Sequence, residues 1–140
     1  MTRVLFFEKP GCANNARQKS WLMAAGHELE VQDLLSHPWS RAELLQYFGE
    51  RPVSEWFNRA SPRVKSGQIS PEALDRAAAL ELMLADPLLI RRPLLAAEGR
   101  REVGFDIGVI HAWLGLPKAV VEAHLRDAET CRVHPHAREH

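Results

Sequence analysis

The 140-residue sequence predicts an α/β domain. Three observations carry that expectation. A β-branched and aromatic run at residues 2–7 is followed by a helix-forming stretch and then by polar/apolar alternation at 27–33. The middle of the chain carries helix signals and no strand patterning. Beyond it, the stretch from Leu94 to Phe105 reads as a hairpin turning at Glu98-Gly99, which a final helical segment follows. Strand, helix and strand in succession imply a right-handed βαβ unit, because parallel strands need a crossover connection.

Each element has a local cause. The first strand reads as buried, and Lys9-Pro10-Gly11 delivers it into a turn directly before Cys12. From Ala13 the chain favours a helix, with Ala13, Ala16, Trp21 and Ala24/Ala25 as its expected inner stripe and Gly26 as its stop. The alternation at 27–33 predicts a strand with one solvent-facing side. Ser40 caps a helix over 41–48, with Glu43 placed as in a capping box and Gly49 as terminator. A short helix is expected over 53–58, a polar loop over 62–70, and a longer helix from Ser70-Pro71-Glu72 to about residue 85. Leu88-Leu89-Ile90 has strand character, and Arg91-Arg92-Pro93 interrupts it. The closing helical segment spans about 106–128 and breaks at Gly115-Leu116-Pro117. Residues 1–130 are expected to form one domain, and 131–140 a flexible polar tail.

Composition removes several function classes. The 18 Lys and Arg balance 18 Asp and Glu, so the electrostatic footprint of a phosphate-backbone binder is missing and no nucleic-acid partner is expected. The four tryptophans are scattered without a basic stripe, which suits core or groove walls better than a base-stacking platform. The apolar runs are too short to span a membrane, and Glu8 and Lys9 close the first before a signal-peptide core can form, so a cytoplasmic protein without membrane contact is expected. Two cysteines, Cys12 and Cys131, are too few for a disulfide scaffold. Cys131, His134, His136 and His140 carry ligand-type side chains, but their spacing lacks the paired frame of a zinc site, so no metal is expected.

Cys12 is the most informative residue. It falls after a strand and turn, at the start of a helix whose unpaired N–H groups and dipole favour an anion, with Lys9 and Arg17 as nearby positive charges. Placement alone leaves two readings open, a low-pKa nucleophile and an inert buried thiol. Arg91-Arg92-Pro93 is the second feature: the Arg-Pro dipeptide before a hairpin suits a cis proline, and the guanidiniums suit an oxyanion or a carboxylate. Arg59, Arg63 and Lys65 read as a solvated basic loop. Position 15, where a Cys-x-x-Cys motif would place its second thiol, holds Asn15, which excludes a local dithiol mechanism. Cys131 reads as a tail thiol, and an exchange partner for Cys12 only if the tail folds back.

Phe7-Glu8-Lys9-Pro10-Gly11-Cys12-Ala13-Asn14-Asn15, Trp56-Phe57-Asn58, Pro62-Arg63-Val64-Lys65-Ser66-Gly67, Asp86-Pro87-Leu88-Leu89-Ile90-Arg91-Arg92-Pro93 and Gly104-Phe105-Asp106 together resemble the arsenate reductase (ArsC/Spx) family, most closely its nitrogenase-associated branch, over about residues 2–130. The resemblance implies a thioredoxin-like fold, βαβ followed by ββα, with a helical insertion. It implies Cys12 as the nucleophile, Pro93 as the cis proline and Arg92 as part of the oxyanion-binding set. Arsenate reductases of the family use two further arginines; one falls at Asn58, with Arg59 adjacent, and the other near Gly104. Each lost charge-assisted hydrogen bond is worth about 1.5–3 kcal/mol, so efficient arsenate reduction is not expected. The expectation is a thiol-dependent oxidoreductase with no bound cofactor. Cys12 would be its nucleophile, with Arg92, Arg91, Arg59, Asn58 and Pro93 around a small thiol or oxyanion and glutathione as thiol cosubstrate. The alternative is a non-enzymatic regulatory module with a protein partner linked to nitrogenase.

Overall fold

A computed structural model describes residues 2–133. Strand β1 (Arg3–Glu8), helix α1 (Ala13–Ala24) and strand β2 (Glu28–Asp33) form the expected βαβ unit. β1 and β2 pair in parallel from Arg3 opposite Glu28 to Glu8 opposite Asp33. Strands β3 (Leu94–Ala97) and β4 (Arg100–Val103) form the antiparallel hairpin, and β3 lies antiparallel to β1, giving the sheet order β2-β1-β3-β4. Glu98 and Gly99 have φ of 52° and 77°, the paired positive values of a type I′ turn, whose twist matches that of the strands it joins.

Alternation along the two central strands sends side chains to opposite faces, and both faces are covered. Val4 and Phe6 of β1 join Leu95 and Ala97 of β3 in one buried cluster with Leu22 of α1 and Ile110 of helix α5 (Ile107–Leu114). Phe7 and Leu94 face the other way, into a larger core. That core is supplied by α2 (Arg41–Phe48), the short α3 (Pro62–Lys65) and its flanking turns, and α4 (Arg76–Ala85). Helix α6 (Lys118–Val133) follows the Gly115 break as expected. Its range carries the chain past residue 130, so the expected tail boundary falls inside a helix. The Cys131 side chain and residues 134–140, including His134, His136 and His140, lie outside the described residues.

The insertion departs from expectation in four places. Val53–Glu55 is a single 3₁₀ turn rather than a helix to residue 58, because Phe57 leaves it to bridge Ile90. The expected loop over 62–70 begins with helix α3, which Pro62 opens. The helix expected from Ser70 is divided: Pro71–Ala73 forms a 3₁₀ turn, Leu74 is extended, and Asp75 caps a new start at Arg76 by accepting from the Ala78 N–H. Leu88-Leu89-Ile90 is not a strand either; Pro87–Leu89 is a 3₁₀ turn capped by Asp86. Ser40 does accept from the Glu43 N–H, but the Glu43 carboxylate turns to His37 instead of closing the capping box. In α1 the expected alanine stripe fails as well. Ala13, Ala16 and Ala24 are exposed, and Asn15 and Leu22 are the buried positions.

Candidate functional site

The turn before Cys12 is set by its own residues. The Cys12 N–H donates to the Lys9 carbonyl at 3.1 Å, and Gly11 has φ of 85°. Pro followed by a positive-φ Gly matches a type II turn. Cys12 then occupies the N-cap of α1, extended at φ −76° and ψ 117°, with its carbonyl accepting from the Ala16 N–H. Asn15, only 1 % exposed, braces this corner: its Oδ1 accepts from the Lys9 N–H at 3.0 Å, and its Nδ2 donates to Gln18 Oε1 at 3.0 Å. A polar side chain buried this deeply is tolerated because both ends of its amide are bonded. The sequence gives this residue away only in hindsight, through an Asn pair at a helix start.

Cys12, Asn14, Asn15, Gln18, Asn58, Ala60 and Arg92 line one pocket of about 160 Å³. Burial is the largest single influence on the Cys12 thiol and raises its pKa. The Asn15 N–H, the Arg92 guanidinium through a hydrogen bond and through its charge, and the Asn14 N–H act in the opposite sense, and together they hold the thiol below its ordinary range. The peptide between Arg92 and the buried Pro93 is cis, and the Pro93 carbonyl accepts from the Gly104 N–H at 2.8 Å.

The remaining expected site residues divide. Asn58 lies in the Cys12 pocket, but its amide is occupied with backbone: Nδ2 donates to the Leu88 carbonyl at 3.2 Å and Oδ1 accepts from the Ala60 N–H at 3.1 Å. It shapes the wall. Arg91 and Arg59 do not meet Cys12; they line a separate cleft with Ser54, Glu55 and Phe57. Arg59 is held at Glu72 at 2.5 Å and pulls that carboxyl below its usual range. Arg91 and Arg59 thus line a cleft other than the one that Arg92 shares with Cys12, and Arg59 is held there by Glu72 and the Ser54 carbonyl. In the basic loop, Arg63 pairs with Asp86 at 2.9 Å. Arg17 donates to Asn14 and lines a groove between α1 and α6. Among the described residues no group of three His, Cys, Asp or Glu side chains could hold a metal ion, and no helix is long and apolar enough to cross a membrane.

A parallel βαβ unit joined to an antiparallel hairpin, with a cysteine at a helix start sharing its pocket with the arginine of a cis Arg-Pro peptide, defines a thioredoxin-like protein. Within that class the chain belongs to the ArsC family, whose model matches residues 7–113. It is 50 % identical over 131 residues to an uncharacterized 15.7 kDa protein in the draG 3′ region of Rhodospirillum rubrum, covering 94 % of this chain and 89 % of that one. It is 28 % identical to the global transcriptional regulator Spx of Streptococcus pyogenes serotype M6, covering 79 % of this chain and 84 % of the regulator. Among solved structures, an arsenate reductase-related protein from Brucella melitensis matches with a TM-score of 0.61 at 25 % identity, over 81 % of this chain and 96 % of its own. An arsenate reductase from Vibrio cholerae shares the fold, with a TM-score of 0.63 at 22 % identity over 74 % of this chain and 90 % of its own.

Proposed function

We propose that the protein is a thiol-dependent oxidoreductase in which Cys12 is the sole nucleophile. The observation that carries this reading is the Cys12 thiol itself, held below its ordinary pKa range in a pocket it shares with the Arg92 guanidinium. A thiolate is the attacking species in exchange, and one whose pKa lies near ambient pH attacks fastest. Cys12 attacks one sulfur of a disulfide: the S–S bond breaks, Cys12 becomes a mixed disulfide, and the other half leaves as a thiolate that takes its proton from solvent. An external thiol then attacks the mixed disulfide, forms a new disulfide with the bound half and returns Cys12 as a thiolate. A second external thiol then attacks that new disulfide, releasing the bound half as a thiol and joining the two external thiols as a disulfide, so the two electrons come from them; glutathione, whose carboxylates suit Arg92, is the proposed cosubstrate.

Arsenate is a poor fit. The pocket offers one guanidinium, since Arg59 is paired with Glu72 and Arg91 faces the adjoining cleft. Oxidised glutathione added to the reduced protein carrying Cys131→Ser should give a single adduct at Cys12 by intact mass, and the thiol should titrate below the free-cysteine value of about 8.5. An ordinary titration with no adduct would sink the reading.

The relatives named as Spx transcriptional regulators favour a second reading, a non-enzymatic regulatory module; that its protein partner is linked to nitrogenase is part of the proposal and comes from the family resemblance alone. Affinity capture with wild type and Cys12→Ser, from cells grown with and without nitrogen fixation, separates the two. A partner recovered equally by both forms supports the module; no partner under any condition counts against it.

A further inference from the structure

Arg91 has no carboxylate partner among the described residues, unlike the nearby Arg51, Arg59 and Arg63. Its backbone N–H donates to the Trp56 carbonyl at 2.8 Å, and its Nη1 reaches the Glu55 carbonyl at 3.4 Å. The rest of its guanidinium occupies the space of a missing side chain. A β-carbon built at Gly104 would lie 2.7 Å from Arg91 Nε, 2.8 Å from Cζ and 2.9 Å from Nη2. Gly104 also has φ of 78°, which L side chains rarely adopt, and its N–H donates to the Pro93 carbonyl. One side chain thus touches the 3₁₀ turn before Trp56 and the end of β4, and those two elements bracket residues 91–93.

We propose that Arg91 is a positioning residue for the thiol pocket: by filling the space over Gly104 and binding the 53–56 turn, it fixes the Arg92-Pro93 segment and so holds the Arg92 guanidinium at Cys12. The inference rests on the reading of Cys12 as the nucleophile. Arg91 does not line the Cys12 pocket, so it acts through Arg92. Gly104 leaves the guanidinium this space: a side chain there would push it aside, and the φ of 78° disfavours one in any case.

The test follows the ultraviolet absorbance of the Cys12 thiolate against pH, with iodoacetamide alkylation at mildly acidic pH, in the reduced full-length protein carrying Cys131→Ser, which leaves Cys12 as its one thiol. Arg91→Gln and Gly104→Ala should each move the titration upward and slow alkylation severalfold, although Gly104→Ala keeps every charge. The double variant should be no worse than the more affected single one, since both remove one contact. The Arg91→Gln shift should also persist in high salt, whereas a through-space charge effect is screened. If Gly104→Ala does not fold, the salt dependence of Arg91→Gln decides alone. A shift that salt abolishes, additive effects, or variants that titrate like wild type would each overturn the inference and leave the Cys12 reading intact. A wild-type thiol that titrates as free cysteine would remove both.

Discussion

Arg91 and Arg92 are neighbours in sequence and opposites in environment. Arg92 lines the Cys12 pocket and lowers the thiol pKa; Arg91 lines a cleft with Ser54, Glu55, Phe57 and Arg59 and packs over Gly104. The backbone at 89–91 is tied to the 56–58 segment by two hydrogen bonds that make the Phe57–Ile90 bridge, so consecutive side chains there leave on different sides. Of the two arginines next to each other in sequence, one thus lines the Cys12 pocket and the other packs over Gly104. Counting guanidiniums near a motif overstates the charge that a ligand meets.

The largest effect expected of the comparison lies on the Cys12 side. In a Cys131→Ser background, where Cys12 is the remaining thiol, Cys12→Ser should abolish glutathione adduct formation by intact mass, because no second thiol stands at position 15 to take over. Arg59→Ala should leave the adduct rate unchanged, since that guanidinium is bound to Glu72 and the Ser54 carbonyl. A loss on Arg59→Ala would show that the two pockets act as one site.

On the other side of the segment the expected effects are on stability. Trp56 is fully buried, stacks on Phe48 at 4.4 Å and donates its indole N–H to the Arg51 carbonyl at 2.9 Å. Trp56→Ala should cost about 3–5 kcal/mol in denaturant unfolding, from the lost burial and the cavity left behind. The Trp56 backbone carbonyl that accepts from the Arg91 N–H is kept in Trp56→Ala, so the surviving folded protein should show a Cys12 titration close to that of wild type.

What could be read beforehand divides along the same line. The Pro10-Gly11 turn, the Ser40 cap, the Glu98-Gly99 hairpin and the Gly115 break are written in residues adjacent in sequence, and each folds as its local chemistry dictates. The Cys12 position follows from them. Leu88-Leu89-Ile90 looked like a strand because apolar runs do, yet Asp86 and Pro87 start a 3₁₀ turn and only Ile90 finds a partner, in Phe57, more than thirty residues away. The contacts of Asn58 and Arg91 are hidden for the same reason: Asn58 lies in the Cys12 pocket as expected, but its amide meets the Leu88 carbonyl, and Arg91 packs over Gly104, contacts that no spacing rule places.

A smaller effect separates the two arginines directly. Arg92→Gln should raise the titration of Cys12, removing both a hydrogen bond and a charge, while Arg59→Gln should leave it in place. The comparison is read by thiolate absorbance in both variants at equal ionic strength. Asp75→Ala is a control remote from Cys12. It removes the cap of α4 and should cost about 1 kcal/mol without moving the titration.

The smallest expected effect is a pH dependence of stability. Cys12 has its pKa lowered in the folded protein, so the folded state binds fewer protons than the unfolded state between the two pKa values. Stability therefore rises with pH through that window. The contribution is complete above the unfolded thiol value and is lost as pH falls through the folded one. Relative to Cys12→Ser, reduced wild type should gain stability from neutral to mildly alkaline pH, and the gain should be small because the thiol is open to solvent. Arg92→Gln should reduce it further, since the partner that lowers the thiol is gone. Parallel denaturation curves for wild type and Cys12→Ser at every pH would mean that Arg92 and the start of α1 do not stabilise the thiolate, and the division between the two arginines would then carry no chemistry.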